Sequence, residues 1–402
     1  MKQRELTRTR WNQFWRGILI FALISSGFVA GFIARGHESA TAQESGDSEF
    51  KILTQVDQLV RGNFVRDLPP DNTLEYAAIR GYLASLNDNY TFFNDPPVAS
   101  SESDALAGRY GGIGVDVVRN EAGMIVLYPY PDSPAAQAGI VDGDILLAVN
   151  DQPLDPNERL DVVRQMTRGE ITDEGSGVKV TVQQPNTTET RTYAIPFEEI
   201  MIPSIAWRVL AEAPEIGYIQ IKSFTSLTPD EMRNAIADLQ TKNITALVLD
   251  LRFNSGGLLQ ESIDVAGEFL DGGTIVIEQS RTTGETVHDD TPGGVATDLP
   301  LVVLVNGGTA SAAEVVAGAL KDNERAIVIG QRTFGKGSVQ FIFGLEDGSS
   351  VHITASLWLT PSRTPLDGIG LLPNIEMIPD QNGRDVELGE AIRQLQQILA
   401  NS

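Results

Sequence analysis

The chain is 402 residues long, contains no cysteine and carries a formal net charge of −24. Its length is enough for several domains, at roughly 100 to 200 residues per domain. The absence of cysteine excludes disulfide bonds and thiolate catalysis. The strong negative charge argues against a nucleic-acid partner, because a phosphate backbone requires a basic surface.

The N-terminal 35 residues are basic, with six Lys and Arg side chains and one Glu. They include an uncharged apolar stretch, Gly17 to Ala34, whose length of about 18 residues is that of a short membrane-spanning helix. Basic flanks stay on the cytoplasmic side of such a segment. Residues 1–16 are therefore predicted to be cytoplasmic, with the rest of the chain held outside the bacterial cell membrane by a single-pass transmembrane anchor.

Two alternatives remain open for this segment. It is compatible with a long signal peptide, because Ala40-Thr41-Ala42 has the small residues of a cleavage site. Cleavage after Ala42 would give a secreted protein. The other alternative is a buried helix of a soluble domain, which the flanking Trp11 and Trp15 disfavour.

Residues 43–104 are predicted to form an N-terminal helical region. After a short polar linker, Phe50 to Leu86 shows helical periodicity in two pieces. A turn with two adjacent prolines separates these pieces at Asp67 to Asp71. The pattern thus predicts two helices.

Two sequence patterns characterise residues 105–184. Tyr110 to Val115 reads YGGIGV, and Pro131 to Leu154 reads PDSPAAQAGIVDGDILLAVNDQPL between apolar segments. Together they resemble a PDZ domain. The resemblance implies that the glycine-rich loop binds the terminal carboxylate of a peptide, which then adds to the sheet edge as an extra strand. The residues of this loop are Gly112, Ile113, Gly114 and Val115.

A serine lies at a predicted junction of strand and helix within residues 190–378. The apolar run Leu301 to Val305 predicts a buried strand, and the small residues from Ser311 to Leu320 predict a helix. Ser311 would then lie at the helix N-terminus, where unpaired backbone N–H groups and the positive end of the dipole can stabilise an oxyanion. The pattern indicates a serine nucleophile.

The base that fits this serine is a lysine. Lys336 follows a second predicted strand in a glycine-bounded loop, and it can accept a proton only if burial keeps its amine neutral near pH 7. In an extended segment Lys336, Ser338 and Gln340 would point the same way, so Gln340 could orient the amine. The chain has only three histidines, which leaves few candidates for the histidine of a serine–histidine–aspartate triad.

Three segments of this region have a specific pattern: DLRFNSGGLL from Asp250, NGGTASAAEVVAGALKDNERA from Asn306 and TFGKGSVQ from Thr333. They resemble the carboxyl-terminal processing peptidases, also called tail-specific proteases. The resemblance implies a serine–lysine dyad with an assisting glutamine, and an oxyanion hole built from two backbone N–H groups. By position in the motifs the catalytic residues are Ser311, Lys336 and Gln340, and the oxyanion donors are Ala312 and Gly257, with Gly256 as the alternative to Gly257.

One PDZ residue is assigned from the same resemblance. Arg168 occupies the arginine-glycine position that the family places near the end of its PDZ domain. The functional interpretation is that Arg168 holds the peptide-loaded PDZ domain in an active arrangement. The alternative is a solvated residue at a strand end, with the PDZ domain acting as a simple tether.

The sequence as a whole predicts an α/β (α+β) protease core with an inserted PDZ domain, an N-terminal helical region, a single N-terminal transmembrane helix and a C-terminal helix in residues 379–402. The predicted function is a serine endopeptidase that recognises protein C-termini and cleaves extracytoplasmic polypeptides. Its substrates are expected to have a free apolar C-terminus, with no metal, cofactor or nucleic acid involved; a homo-oligomer or an activating partner remains open. The alternatives are a catalytically silent PDZ peptide-binding scaffold and a hydrolase of esters or cell-wall amides.

Overall fold

The computed structural model describes residues 50–155, 157–172, 175–185, 187–380 and 383–401. The chain divides into two compact units, Met1–Glu75 and Tyr76–Ser402. In the first unit, helix α1 (Lys51–Asn63) buries none of its side chains. Helix α2 (Asp71–Ala84) begins there as well, and the connection between the two helices contains the adjacent prolines of the predicted turn.

The second unit begins with the rest of α2, then strand β1 (Phe92–Asn94) and helix α3 (Pro96–Ala107). Strand β2 (Arg109–Gly112) leads into the next domain, and strand β9 (Glu198–Met201) leads out of it. These two strands pair antiparallel, with Gly112 opposite Glu198. The domain between them is therefore attached through two neighbouring strands.

This domain is built on a twisted antiparallel sheet in the order β3-β4-β5-β7-β8, with β6 paired to β5. Alternate residues of β7, namely Val178, Val180 and Val182, are buried in its core, as expected for a strand with one face inward. Strand β8 belongs to this sheet although it lies beyond residue 184, where the sequence placed the end of the domain. The elements are β3 (Val115–Arg119), β4 (Ile125–Pro129), α4 (Pro134–Ala138), β5 (Asp144–Val149), β6 (Gln152–Pro153), α5 (Leu160–Met166), β7 (Gly177–Gln183) and β8 (Thr190–Pro196).

The rest of the unit forms an α/β core. Its central sheet has the order β10-β11-β12-β15-β16-β19, parallel except for β10. The elements are β10 (Ile205–Leu210), β11 (Ala213–Ile221), α6 (Thr228–Thr241), β12 (Ala246–Asp250), α7 (Leu259–Gly267), β13 (Gly273–Ser280), β14 (Gly284–Asp290), β15 (Leu301–Val305), α8 (Ala312–Asp322), β16 (Ile327–Gly330), β17 (Ser338–Gly344), β18 (Ser350–Leu359), β19 (Ile375–Glu376) and α9 (Val386–Asn401).

Both faces of the central sheet are covered. In β12, Leu247 and Leu249 pack in the cluster that contains α6, α7 and α8, while Ala246 and Val248 pack in the cluster that contains α9. Burial on both sides explains why strands such as β15 are apolar at every position. The loops that follow β12 and β15 leave the sheet at the same edge, because parallel neighbouring strands end together.

A second sheet adjoins the core. Its order is β1-β18-β13-β14, and β17 pairs with β18. The loop from β16 to β17 therefore passes from one sheet to the other, and it contains Lys336. This arrangement brings the lysine loop towards the edge where β12 and β15 end.

The predicted fold class needs one correction. The α/β core and the inserted PDZ domain are present, but no helix among the described residues is long and apolar enough to cross a membrane. The longest described helix, α9, has 16 residues, whereas a span takes about 20. The transmembrane helix is therefore removed from the fold class. Residues 17–34 and Ala42, on which those predictions rested, lie outside the described residues.

Candidate active site

Ser311 lies at the N-terminus of α8, just before its first residue. Its backbone has φ 56° and ψ −124°, a conformation that is strained for any residue other than glycine and that the surrounding structure must hold. The residue is 7% exposed.

A buried carboxylate holds this turn. Glu314, which is fully buried, accepts a hydrogen bond from the backbone N–H of Ser311 at 2.9 Å. The same carboxylate accepts the N–H of Lys336 at 2.9 Å and that of Gly335 at 2.8 Å, together with the Thr333 hydroxyl at 2.5 Å. Glu314 therefore fixes the backbone of the serine turn relative to the backbone of the lysine loop.

The loop after β12 lies directly against Ser311. Gly256 and Gly257 both have positive φ, 109° and 141°. A Cβ on Gly256 would lie 2.8 Å from the Cβ of Ser311, and a Cβ on Gly257 would lie 2.1 Å from the carbonyl oxygen of Phe224. Glycine is thus required at both positions, because any side chain would collide with the serine or with the neighbouring backbone.

The hydrogen bonds of this loop distinguish the two candidate oxyanion donors. Asn254 is fully buried, and its side-chain oxygen accepts the N–H of Gly256 at 2.8 Å. The N–H of Gly256 is therefore occupied. Among the described residues no hydrogen bond is made by the N–H of Gly257 or by that of Ala312. Of these two glycines, Gly257 is the one whose N–H is unoccupied, and its part in an oxyanion hole stays a prediction.

Lys336 is partly buried, and its loop is joined to the turn of Ser311 through Glu314. Burial lowers the pKa of its amine, and the charge of Glu102 acts in the opposite direction. The Nζ atom lies 5.2 Å from the centre of the Tyr90 ring, a position that favours the charged form of the amine. The burial effect is larger, so the amine is easier to deprotonate than that of an exposed lysine.

Gln340 makes a different contact from the predicted one. Its side-chain nitrogen donates to the Ser338 hydroxyl at 2.8 Å. The pairing of β17 with β18 shifts register between Val339 and Gln340, where the extra residue lies on β18, and the side chains of Ser338 and Gln340 share a face of β17. The participation of Gln340 in the reaction stays a prediction.

The predicted peptide-binding loop connects β2 to β3. Ile113 is buried and donates its N–H to the carbonyl of Thr167 at 3.2 Å, so this N–H is not free to bind a carboxylate. Gly114 has φ 72°, and its carbonyl accepts the N–H of Tyr130 on the β4 side. The N–H groups of Gly114 and Val115 are the better candidates for binding a terminal carboxylate.

The free edge of β3 is where a peptide strand would add. Since the Gly114 carbonyl faces β4, the backbone groups of Val115 and Val117 face the opposite edge. Helix α5 lies along that edge, and its Arg164 donates to the carbonyl of Val117 at 2.9 Å. An incoming peptide strand would have to displace this side chain to pair with Val117.

Arg168 connects the PDZ domain to helix α3. Its guanidinium donates to the Asp104 carboxylate at 2.8 Å and lies 4.0 Å from the centre of the Tyr110 ring. The side chain is 17% exposed. It is thus held between α3 and β2, and its proposed part in gating stays a prediction.

Sequence reasoning missed three residues of this site. Glu314 is the most informative, because a serine followed three residues later by glutamate is the pattern of a helix N-terminus in which the two residues bond each other's backbone. Tyr90 and Glu102 carried no local signal. They come from a segment more than 200 residues before Lys336 in the sequence.

The chain is similar to known proteases. Residues 215–377 match the family model of peptidase family S41, and residues 125–174 match that of the PDZ domain. The chain is 36% identical to a carboxy-terminal-processing protease of Bartonella bacilliformis, over 83% of this chain and 76% of that protein. It is also 36% identical to the chloroplastic carboxyl-terminal-processing peptidase 2 of Arabidopsis thaliana, over 76% of this chain and 61% of that protein. Among solved structures it is similar to the photosystem II D1 C-terminal processing protease, with 31% identity, a TM-score of 0.48 and coverage of 84% of this chain and 90% of that one.

Proposed function

Because this chain belongs to the carboxy-terminal processing proteases of peptidase family S41, we propose that Ser311 and Lys336 are the catalytic dyad of a serine endopeptidase. The family predicted from the sequence is confirmed, and it favours a serine peptidase with a PDZ domain over a silent peptide-binding scaffold. The observation that supports the dyad is the Glu314 carboxylate, which binds the backbone N–H of both residues.

The first chemical step is attack by the Ser311 hydroxyl on the carbonyl carbon of the scissile peptide bond. The neutral amine of Lys336 accepts the hydroxyl proton as the new C–O bond forms. Burial of the amine supports this role, because it lowers the pKa of Lys336. Gln340 assists by orienting the amine once substrate is bound.

The negative charge that develops on the substrate oxygen is stabilised by backbone groups. Ala312 offers the first N–H of α8, at the positive end of the helix dipole. Gly257 offers a second N–H from the loop after β12. Two fixed donors aimed at one oxygen stabilise the tetrahedral intermediate more than the planar substrate, which accelerates the step.

Collapse of the intermediate breaks the C–N bond. The protonated Lys336 gives its proton to the leaving amine, and an ester between Ser311 and the N-terminal part of the substrate remains. Water then attacks this ester, with Lys336 accepting a proton from the water and the Ser311 oxygen leaving as the hydroxyl. Lys336 returns that proton to the Ser311 oxygen, which restores the starting state of both residues.

The PDZ domain selects the substrate. We propose that the loop of residues 112–115 binds a free terminal carboxylate and that the preceding residues pair with the edge of β3. The side chains of Ile113 and Val115 are buried behind this loop, which favours a small or apolar last residue. Substrates are accordingly proteins or peptides with a free apolar C-terminus.

The catalytic domain acts outside the cytoplasm in this proposal. It is supported by the basic residues 1–16 followed by an uncharged apolar stretch, the usual arrangement of a segment that directs export. The relatives are bacterial and chloroplastic processing proteases. Protease added to intact spheroplasts should digest the PDZ domain and the core, and protection of both until the membrane is broken would contradict the proposal.

The decisive experiment compares wild type with Ser311→Ala on an unstructured polypeptide that has a free apolar C-terminus. The wild type should release defined fragments, and the variant should release none while still binding the peptide. A silent scaffold would bind without turnover in both proteins. An esterase or cell-wall amidase would show turnover dependent on Ser311 only with those other substrates.

A further inference from the structure

A pocket of about 520 Å³ lies between helix α3, strand β17 and the loop that follows β12. Its aliphatic wall consists of Leu106, Leu258, Ile342 and Leu345. Ligand sites in proteins are usually concave and mostly apolar, with volumes of about 300 to 1,000 Å³. The pocket therefore has the size and the lining of a binding site, and none of the proposed reaction steps uses it.

One wall of this pocket is continuous with the proposed oxyanion donor. Leu258 directly follows Gly257, and its N–H donates to the carbonyl of Phe224 at 2.9 Å. Two residues after Phe224, Ser226 also lines the pocket, and its N–H donates to the Leu106 carbonyl on α3 at 3.0 Å. The segment 224–226 thus ties the loop after β12 to α3, and the pocket begins one residue away from Gly257.

The opposite wall is continuous with the strand that follows Lys336. Ile342 and Gly344 lie two and four residues after Gln340 in β17, so the three residues share one face of the strand. Both Ile342 and Gly344 line the pocket. The pocket is therefore joined to the proposed active site on two sides, through the oxyanion loop and through the strand of the lysine and the glutamine.

The lining suits aliphatic side chains and disfavours acidic ones. Ile342 and Leu345 are 45% and 41% exposed, and an aliphatic side chain in the pocket would remove this apolar surface from water. Among the described residues that line the pocket, the one charged group is the carboxylate of Glu102. Hydrogen bonds with Asn94 at 3.0 Å and with His352 at 2.8 Å hold it in place. An acidic side chain entering the pocket would lose its hydration, find no cation and meet a like charge.

A buried hydroxyl of the same pocket has no partner. Ser350, the first residue of β18, is 5% exposed and lines the pocket. Its Oγ makes no hydrogen bond to any of the described residues. Because buried hydroxyls are normally hydrogen-bonded, a group that enters the pocket would satisfy this one. The backbone of a polypeptide carries both the donor and the acceptor that a hydroxyl can bind.

We propose that this pocket is the specificity pocket of the peptidase core. It receives the side chain of a substrate residue next to the scissile bond and selects a neutral aliphatic residue there, while Ser350 binds the substrate backbone. The proposal rests on the function proposed above. It adds a second selection, which is made at the cleaved bond and is separate from the recognition of the C-terminus by the PDZ domain.

The selection is tested with the full chain and with peptides that share one free Ala-Ala C-terminus, so that binding by the PDZ domain is the same for all of them. Mass spectrometry of the fragments identifies the cleaved bond, and the residue on each side of it is then changed in turn to Leu, Ala and Asp. At one of the two positions kcat/KM should be at least about tenfold higher for Leu than for Asp. Equal values at both positions overturn the proposal.

The pocket itself is tested by filling it. A Cβ on Gly344 would meet no atom within 4 Å, so Gly344→Leu adds a side chain to the pocket wall without a backbone clash. The ratio of kcat/KM for the Leu peptide to that for the Ala peptide should fall about tenfold, with cleavage of the Ala peptide retained. Gly389→Leu is the matched control, because Gly389 is exposed on α9 and its Cβ would also meet nothing within 4 Å. A ratio that Gly344→Leu leaves unchanged, or that both variants change equally, overturns the assignment.

Two further variants keep the test independent of how well the filled variant folds. Ile342→Ala enlarges the pocket and should move the preference from Leu towards Phe several-fold; an unmoved preference contradicts the proposal. Ser350→Ala should lower kcat/KM about fivefold for every peptide without changing the ratio of Leu to Ala, and an unchanged kcat/KM removes Ser350 from the site. Absence of Ser311-dependent hydrolysis in the wild type refutes the proposed function, whereas Ser311-dependent hydrolysis without discrimination refutes the pocket alone.

Discussion

The backbone N–H of Lys336 donates a hydrogen bond of 2.9 Å to the carboxylate of Glu314, three residues after the serine at the start of α8. Because the same carboxylate also binds the N–H of Ser311, the position of the lysine loop is set by the helix that presents the serine. Two segments from different parts of the core thus share one buried acceptor.

Glu314→Gln should impair both folding and catalysis. The carboxylate accepts four hydrogen bonds, whereas an amide has one oxygen and would turn an N–H₂ group towards one of those donors. We expect a loss of about 2 kcal/mol in the free energy of unfolding, from the buried donors left without a partner, and a fall in kcat larger than any rise in KM. Denaturant unfolding and steady-state kinetics measure the two effects; the exposed Glu346→Gln is the control. Full kcat in the variant would show that the link is dispensable.

Lys336→Ala and Lys336→Arg should both lose activity, by on the order of 10³-fold. Alanine removes the base, and arginine cannot release its proton near neutral pH. Peptide binding, followed by fluorescence anisotropy, should remain close to wild type in each case because the PDZ domain is untouched. Substantial turnover by Lys336→Arg would exclude lysine as the proton acceptor.

The pH dependence of the wild type should follow Lys336. Since burial lowers the pKa of Lys336, kcat/KM should rise with pH to a plateau that begins below the ordinary lysine range. The same limb should be present in His352→Gln, although that change removes the hydrogen bond to Glu102. A profile that loses its limb in the histidine variant would identify a different base.

Replacing the amine should also stabilise the fold. A lysine whose pKa is lower in the folded than in the unfolded chain binds fewer protons when folded, so stability is lost as pH falls through the lowered value and recovered as pH rises. Lys336→Met removes this dependence and should be more stable than wild type at neutral pH, because it removes the cost of burying the charged amine. Thermal unfolding at several pH values provides the comparison. A methionine variant that is less stable at every pH would mean that the amine contributes favourable contacts instead.

Gly257→Ala should inactivate the enzyme through the backbone. The new Cβ would lie 2.1 Å from the carbonyl oxygen of Phe224, so the loop must shift and its N–H with it. We expect kcat to fall roughly 10²- to 10³-fold, the usual loss for one oxyanion donor. Gly307→Ala is the matched control, because a Cβ there meets nothing within 4 Å. Equal activity of the two variants would remove Gly257 from the oxyanion hole.

Arg168→Ala should uncouple the PDZ domain from the core. The substitution removes the ion pair with Asp104 and the stacking on Tyr110, so turnover of substrates with a free C-terminus should fall while their affinity for the PDZ domain changes little. Asp104→Asn should behave similarly, because it removes the other half of the pair. Unchanged turnover in both variants would leave the PDZ domain as a tether.

The sequence predicted the parts of the site that depend on residues close to each other in the chain. Ser311 was placed correctly at a junction of strand and helix, since apolar runs and small residues mark such junctions locally. The preference for Gly257 over Gly256 came from the family resemblance, and the structure adds that Asn254 occupies the N–H of Gly256. Gln340 illustrates a limit of periodicity, because the pattern places it on one face with Ser338 but does not show that its amide binds the Ser338 hydroxyl.

Contacts between distant segments escaped prediction for a physical reason. Glu102 meets His352 across 250 positions of the sequence, and nothing in either neighbourhood indicates a partner. The extent of the PDZ sheet was missed in the same way, because β8 is defined by its pairing with β7 rather than by its own pattern. The transmembrane helix was inferred from the length of one uncharged apolar stretch and its basic flanks, and no helix among the described residues is long and apolar enough to cross a membrane.

The ribbon of β2 and β9 gives the protein a modular construction. Gly112 and Glu198 lie opposite each other where the chain enters and leaves the PDZ domain, so a two-residue turn could join them as an ordinary hairpin. The PDZ domain can therefore be deleted, or exchanged for another domain, without changing the path of the chain through the core. A different peptide-binding domain grafted onto these two strands would give the same catalytic core a different choice of substrates.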